Sequence, residues 1–134
     1  MPKQVVSSKS APTTGFSDNN KPAPIVQAIR CGNMLFVSGQ GPLDPETKTV
    51  VAGDIEIQTR RTLDNLLAVL EAGGASLKHV VNMRVILRDV ADFKRFNEVY
   101  REYFSSVEPC RTTVEVSRLP TPIHVELKVI ATID

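Results

Sequence analysis

The spacing of apolar residues along this chain changes between the period of a strand and the period of a helix. From Asp54 onward, apolar residues recur every three or four positions, which is typical of a helix with one buried face. Asp54 suits the N-cap, and Gly73 with Gly74 supplies the left-handed residue at which many helices end. The stripe predicted to be buried contains Ile55, Thr59, Leu63, Leu66, Leu67 and Leu70.

A second helix is predicted to begin after Asp89 or Asp92. Most of the aromatic residues of the chain fall on one stripe of this helix, at helical spacing. That concentration favours packing into a core over a surface for stacking nucleic acid bases. The stripe contains Phe93, Phe96, Tyr100, Tyr103 and Phe104.

Strands are predicted around the two helices. Residues 25–40 should form two strands joined at Gly32 and Asn33, which supply the conformations of a tight turn. Alternating apolar and polar residues predict three more strands, at 80–88, 110–116 and 123–133. The last strand should direct Ile123, Val125, Leu127, Val129 and Ile133 inward.

The remaining segments have the composition of loops. Residues 1–23 are expected to form an irregular arm, since they are rich in Ser, Pro, Asn and Lys. The segment after Gly41 should be a long loop with at most a short strand at 49–51. The whole chain, 1–134, then forms one domain.

The order of the elements, β-β-(β)-α-β-α-β-β, predicts an α+β fold with both helices on one face of the sheet. The other face should mix polar and apolar side chains. Such a face is too polar for a core and too apolar for bare solvent, so it suggests an interface between subunits that contains sites. Its members are predicted to be Arg84, Ile86, Arg111, Thr113, His124, Glu126, Lys128 and Ile130.

The strand at 110–116 carries a cation that neither sequence neighbour can neutralise. Alternation places Arg111 and Thr113 on one face, and the apolar residues Val114 and Val116 predict that the other face is the core side. The planar fork of Arg111 suits a carboxylate, either the protein's own or a substrate's. The alternative is a structural ion pair between Arg111 and Glu126. If the last two strands form a hairpin, their register decides whether these two side chains share a face.

Other chemistry is only weakly indicated. No nucleophile comes with a placed His base, and no Walker or dinucleotide motif is present. Gly39 and Gly41 follow a strand directly, so they could let a ligand approach the backbone or could merely form a turn. The spacing of the two histidines and two cysteines predicts no metal site and leaves a disulfide open. Cys31 and Cys110 are expected to be small, partly buried apolar groups.

The charge balance limits the choice of partners. A net charge of +1 gives no long-range field toward nucleic acid or anionic membranes, so neither is an expected partner. The apolar runs are too short to span a bilayer, and the first residues lack the core of a secretory signal. The expected location is the cytoplasm, with import into an organelle such as the mitochondrion left open.

Several distinctive stretches together resemble the reactive intermediate deaminases, the Rid family formerly called YjgF. The resemblance runs from about residue 24 to the C-terminus. It is carried by "FVSGQGPLDPET", "GDIEIQTRRTLDNLLAVLEAGGASLKHVV", "DFKRFNEVYREYF", "PCRTTVEVSRLP" and "VELKVIA".

This resemblance implies a chorismate-mutase-like α+β fold and a homotrimer, with the sheets forming an inner barrel and three clefts between subunits. It also implies an enzyme without a cofactor that hydrolyses enamines and imines, such as 2-iminopropanoate and 2-iminobutanoate, to 2-oxo acids and ammonia. Such an activity removes reactive metabolites before they cause damage. The alternative is a non-catalytic trimer that acts as a holdase or regulator. A nuclease role, also ascribed to relatives, lacks a metal site and a basic stripe here.

The family's motifs also imply roles for particular residues. Arg111 would grip the substrate carboxylate, and Glu126 would position or polarise the attacking water. Ser38 and Gly39 would contribute backbone contacts, and Asn97 would border the cleft.

Two departures from the family pattern bear on the substrate. Ile25 stands where the family has a tyrosine, and Val26 stands where it has a serine. Thr113 replaces a cysteine two residues after the arginine. Cys110 precedes Arg111 and should face away from its side chain, so a reactive role is not expected for it. A more apolar pocket favours a larger or more apolar imine.

Overall fold

The computed structural model of the chain describes residues 2–12, 24–106 and 108–133. Within these residues, one six-stranded sheet has the order β1-β2-β3-β6-β4-β5, and two helices pack on one of its faces. The strands are β1 (Lys3–Val6), β2 (Ala28–Cys31), β3 (Met34–Gln40), β4 (Val80–Leu87), β5 (Cys110–Glu115) and β6 (Val125–Thr132), and the helices are α1 (Ile55–Ala72) and α2 (Phe93–Tyr103). The predicted α+β class is confirmed.

Both ends of α1 form as its sequence predicts. The Asp54 carboxylate accepts a hydrogen bond from the backbone N–H of Ile57 at 3.0 Å, which satisfies one of the free donors of the first turn. At the other end Gly73 caps the helix, and Gly74 has a φ of 87°, a conformation that strongly favours glycine.

The core lies between the two helices and the sheet. The inward residues of β6 are buried, as predicted, and they pack with the leucine stripe of α1. On α2 the rings of Phe96, Tyr100 and Phe104 follow one another with centroids 5.6 and 4.6 Å apart. The aromatic stripe is therefore mainly a core element, although Phe93 at its start is partly exposed.

The last two strands do not form a hairpin. Instead, β6 lies between β3 and β4 and is antiparallel to both, whereas β5 is the parallel neighbour of β4 at the edge. The physical reason is that α2 links β4 to β5 as a crossover connection, which makes these two strands parallel. The sixth strand then pairs on the other side of β4.

The expected irregular arm is partly ordered, because β1 pairs antiparallel with β2. The buried side-chain amide of Gln27 also ties down the segment after β1. It donates to the carbonyl oxygens of Ala11 and Pro12 at 3.0 and 3.1 Å. Residues 13–23 of that arm lie outside the described part. At 49–51, where the sequence predicts at most a short strand, the structure has one isolated β-bridge, between Leu43 and Val50.

Candidate functional site

The face of the sheet opposite the helices carries the mixed character that the sequence predicts. Glu126 pairs with Ile86 and Lys128 pairs with Arg84 across β6 and β4. Apolar side chains lie beside these charges, and Phe36, on β3, is 45% exposed. This bare face therefore combines ionisable groups with apolar surface that water covers in the single chain.

Arg111 and Thr113 do not belong to that face, and their predicted placement is wrong. Arg111 lies opposite Met83 in the parallel register of β5 and β4, and Met83 is fully buried against the helices. Arg111 therefore faces α2. Side chains alternate along β5 as predicted. Val114 does not mark the core side, however, since it is 41% exposed on this edge strand.

Aromatic rings, rather than carboxylates, surround the Arg111 guanidinium. Its central carbon lies 4.8 Å from the ring centroid of Tyr100 and 5.4 Å from that of Phe93, with Phe96 at 5.6 Å. Its Nε donates to the Thr113 hydroxyl at 3.1 Å. Among the described residues no carboxylate forms an ion pair with Arg111. The structural pair with Glu126 is therefore excluded within one chain.

Glu126 lines a cleft at the end of the bare face. The cleft has a volume of about 250 Å³. Its walls are mostly apolar, with a carboxylate and an ammonium group among them. The lining residues are Ile25, Ser38, Gly39, Gly41, Leu43, Pro120, Thr121, Ile123, Glu126 and Lys128.

A bulge in β3 forms the floor of this cleft. Val37 pairs with Val129 and Gln40 with Leu127, so Ser38 and Gly39 together oppose the single residue Lys128. A Cβ atom built on Gly39 would lie 2.7 Å from Oε2 of Glu126. Glycine is therefore required here for the carboxylate to lie against the backbone.

Neighbouring backbone groups fix the bulge in place. The Ser38 hydroxyl donates to the carbonyl oxygen of Val26 at 2.7 Å, and the Ser38 N–H donates to that of Gln27 at 2.9 Å. Ser38 is thus bound to the segment that carries Ile25, itself 44% exposed at the rim. Gly39 therefore does more than form a turn, because the Glu126 carboxylate lies beside it. The approach of a ligand to this backbone stays a prediction.

The cleft perturbs the acidity of its carboxyl group. Burial raises the pKa of Glu126 above its ordinary value, and the nearby Lys128 ammonium opposes that shift only in part. A carboxyl with a raised pKa exchanges protons closer to neutral pH, so Glu126 is chemically suited to act as a base.

The predicted site residues therefore fall into two groups in one chain. Glu126, Gly39, Ser38 and Ile25 meet at the cleft. Arg111 and Thr113 lie on the other side of the sheet, against α2, where Asn97 is one helical turn from Phe93 and half-buried. Asn97 does not line the cleft that holds Glu126.

Three more predicted residues have other surroundings. His124 is exposed and lines a different depression with Arg88 and Glu115. Cys110 lies across β5 from the Arg111 side chain, as predicted, but it is exposed rather than partly buried. Cys31 is half-buried, and neither thiol is in a disulfide.

Sequence reasoning missed several members of both groups. Leu43 and Ile123 line the cleft because the loop after β3 and the approach to β6 fold over it. Lys128 is predicted on the same face as Glu126, and the structure adds that it lines the cleft. Tyr100 was assigned to the core, and only the parallel pairing of β5 with β4 brings Arg111 beside it.

Two general findings apply to residues 2–12, 24–106 and 108–133. No helix there is long and apolar enough to cross a membrane. No group of three or more His, Cys, Asp or Glu residues there is arranged to hold a metal ion.

The fold and the cleft define a class: small α+β domains with helices on one side of a sheet and a ligand-sized cleft on the other. A family model described as "Endoribonuclease L-PSP" matches residues 18–133. The chain therefore belongs to this family, which is also known as the YjgF or Rid family, and the predicted membership is confirmed.

Individual relatives agree with this assignment. The chain is 48% identical to a RutC family protein of Pyrococcus abyssi over 132 residues, covering 98% of each chain. It is 39% identical to the 2-iminobutanoate/2-iminopropanoate deaminase of Escherichia coli, covering 87% of this chain and 94% of that one. The crystal structure of E. coli TdcF with bound serine matches with a TM-score of 0.87 and 33% identity, covering 98% and 99% of the two chains.

Proposed function

We propose that the protein is an imine deaminase that hydrolyses 2-imino acids, of the 2-iminopropanoate and 2-iminobutanoate type, to 2-oxo acids and ammonia. The observation that carries this proposal is the Glu126 carboxylate, which lies against Gly39 in a cleft and has a raised pKa. A relative with 39% identity is named for this activity.

The reaction needs little more than a placed base and a placed substrate. A protonated imine is already a strong electrophile, so the enzyme has to hold one water near its carbon. Glu126 accepts a proton from that water as the oxygen adds to C2. The proton then passes from Glu126 to the nitrogen. As the C–N bond breaks and ammonia leaves, Glu126 takes the proton of the added hydroxyl group, so that the C–O bond becomes the carbonyl of the 2-oxo acid.

Arg111 is the proposed partner of the substrate carboxylate. Thr113 accepts only its Nε proton, so the two terminal nitrogens keep their N–H groups for an anion. The structure of a relative with bound serine is consistent with an amino-acid-sized carboxylate as ligand. Asn97, on the same side of the sheet, is the proposed border of this part of the site.

A second copy of the chain would allow the two groups of residues to form one site. Arg111 and Glu126 of one chain lie on opposite faces of the sheet, so they cannot both contact one small molecule. We propose that the bare face is covered in a homotrimer with an inner barrel, and that each cleft combines Glu126 of one copy with Arg111 of another. Closed symmetric assembly makes all such sites equivalent.

A direct assay tests the activity. A dehydratase that acts on threonine releases 2-iminobutanoate, and formation of 2-oxobutanoate is followed with and without this protein. The proposal requires a faster rate than buffer alone, and the Arg111→Ala variant should return the rate to the buffer value. A parent protein that gives the buffer rate would favour a non-catalytic binding role.

The walls of the cleft favour a second candidate, a deaminase for larger imines. Ile25, Leu43 and Ile123 present aliphatic surface opposite Glu126, and such surface favours an apolar substrate side chain over a methyl group. The imines that an amino acid oxidase makes from leucine and alanine separate the two candidates. A higher kcat/KM for the leucine-derived imine would support the second one.

A further inference from the structure

The phenol of Tyr100 lies beside Arg111 in an unusual state. The residue is only 7% exposed, and its hydroxyl oxygen is buried without a hydrogen-bond partner among the described residues. Its ring stacks on Phe104 on one side and lies near the Arg111 guanidinium on the other.

A buried hydroxyl without a partner destabilises a fold, since it gives up its hydrogen bonds to water and gains none. Phenylalanine would fill the same space in the aromatic stripe and would leave no polar atom to satisfy. Stability therefore does not explain a tyrosine at this position. Burial raises the pKa of Tyr100, whereas the positive charge of Arg111 and the approach of its guanidinium to the phenol oxygen oppose the shift. The guanidinium therefore lies near the hydroxyl, although the two groups do not have the geometry of a formed hydrogen bond.

Within the described residues, the guanidinium of Arg111 is hydrogen-bonded through one of its three nitrogens. Its Nε is taken by Thr113, and rings lie close to its central carbon. Aromatic rings attract a cation without neutralising it. No hydrogen bond to the terminal nitrogens is found among the described residues. The acceptor without a partner that lies near the guanidinium is the phenol oxygen of Tyr100.

We propose that Tyr100 is a positioning residue for Arg111. Its ring supports the guanidinium, and its hydroxyl accepts one terminal N–H as the ligand binds, which turns the remaining N–H groups toward the ligand carboxylate. This assignment rests on the proposed function for the identity of the ligand. Hydrogen bonds of catalytic groups commonly become shorter and better aligned only in the complex, which accounts for the unmade bond here.

The test compares Tyr100→Phe with Tyr103→Phe. Each change removes one phenolic hydroxyl from α2, but the Tyr103 hydroxyl donates to Asp64 at the surface, at 2.9 Å, away from Arg111. Two readouts are used: the dissociation constant of 2-oxobutanoate by isothermal titration, and kcat and KM in the dehydratase-coupled assay.

Tyr100→Phe is expected to weaken 2-oxobutanoate binding and raise KM by about three- to tenfold, the usual effect of one hydrogen bond. The value of kcat should change much less, because the carboxylate is held in both the ground state and the transition state. The thermal midpoint should stay the same or rise, since an unsatisfied group is removed. Tyr103→Phe should keep the parent's KM.

Unchanged binding and KM in Tyr100→Phe would overturn the proposal. So would a lower thermal midpoint with a loss of kcat at constant KM, because that pattern indicates a purely structural tyrosine. If the parent binds 2-oxobutanoate but does not accelerate imine hydrolysis, the proposed function fails, and the titration alone decides the role of Tyr100. If the parent does neither, both proposals fail.

Discussion

At the scale of single residues, Arg111 is held by rings and a hydroxyl, and not by a carboxylate. Replacing it with lysine keeps the charge and removes the planar fork. We expect Arg111→Lys to lower kcat/KM for 2-iminobutanoate by about ten- to a hundredfold, the range for losing a charge-assisted bidentate contact.

Rates from the dehydratase-coupled assay and circular dichroism spectra check this prediction together. The matched control is Arg60→Lys, because Arg60 is half-exposed on α1 and pairs with Glu102 at 2.6 Å. The control should retain the parent's rate. Equal rates for Arg111→Lys and the parent would remove Arg111 from the site.

Glu126→Gln keeps the shape of the side chain and removes its basicity. We expect kcat to fall by about 10²- to 10⁴-fold, the usual contribution of a general base. Glu98→Gln, an exposed position on α2, is the control for the same loss of charge. In the parent, kcat should decline as the pH is lowered through the raised pKa of Glu126, and a rate that is flat across that range would contradict the assignment.

The same carboxyl group also has an effect on stability. Because its pKa is raised in the folded state above the ordinary 4.5, protonation favours folding, and the free energy of unfolding falls as the pH rises from about 4.5 through the raised value. Glu126→Gln should therefore be more stable than the parent at pH 7, with the difference shrinking below pH 4.5. Urea unfolding of both proteins at pH 7 and below pH 4.5 measures this difference in the free energy of unfolding. A Glu126→Gln variant less stable than the parent at pH 7 would contradict the prediction.

Residue types and motifs proposed candidate site residues but not their geometry. Glu126, Gly39, Ser38 and Ile25 meet at one cleft, whereas a functional role stays a prediction for Arg111. The face on which the Arg111 side chain lies was predicted wrongly. An edge strand can expose a valine, as at Val114, and a neighbouring helix can cover a cation with aromatic rings, as α2 covers Arg111. Sequence periodicity contains no information about which face of a strand a later helix will cover.

At the scale of elements, the bulge in β3 controls the position of the Glu126 carboxylate. Gly39→Ala would place a methyl group 2.7 Å from Oε2, so the carboxylate must move. We expect a fall in kcat of about tenfold or more, since small displacements of a catalytic group are costly. In Gly41→Ala the new methyl group would meet only the flexible end of Ile123, at 3.3 Å, and the loss should be much smaller.

Kinetics and a crystal structure of each variant would check this comparison. A Gly39→Ala enzyme with the parent's kcat would show that the close approach is not needed for the reaction. An equal loss in both variants would indicate a general effect on the loop after β3.

The elements differed in how far the sequence predicted them. Both helices were predicted well, because Asp54, Gly73 and the apolar stripes are all local signals. The pairing of β5 and β6 was not, because strand order depends on the crossover through α2 and on contacts far apart in sequence. The N-terminal strand β1 was missed for the same reason, since "KQVV" gains its order by pairing with β2.

In the molecule as a whole, the sheet separates the two residues that we propose for catalysis and substrate binding. Its helix-covered face carries Arg111, and its bare face carries Glu126 together with exposed apolar side chains such as Phe36. In the homotrimer that we propose, this apolar surface would be covered, and Arg111 of one copy would lie beside Glu126 of another. The sequence predicted a mixed face, but it could not show that the two catalytic candidates lie on different faces.

The most direct test mixes two inactive variants. Arg111→Ala and Glu126→Gln chains with different tags are co-expressed in equal amounts, and assemblies that carry both tags are compared with each variant alone. If each site takes Arg111 from one copy and Glu126 from its neighbour in a trimer, every trimer that contains both variants has one site with both residues intact, about a third of its sites. We predict that the mixed assemblies regain deaminase activity at about that level. Mixed assemblies as inactive as the single variants would contradict a site shared between two copies.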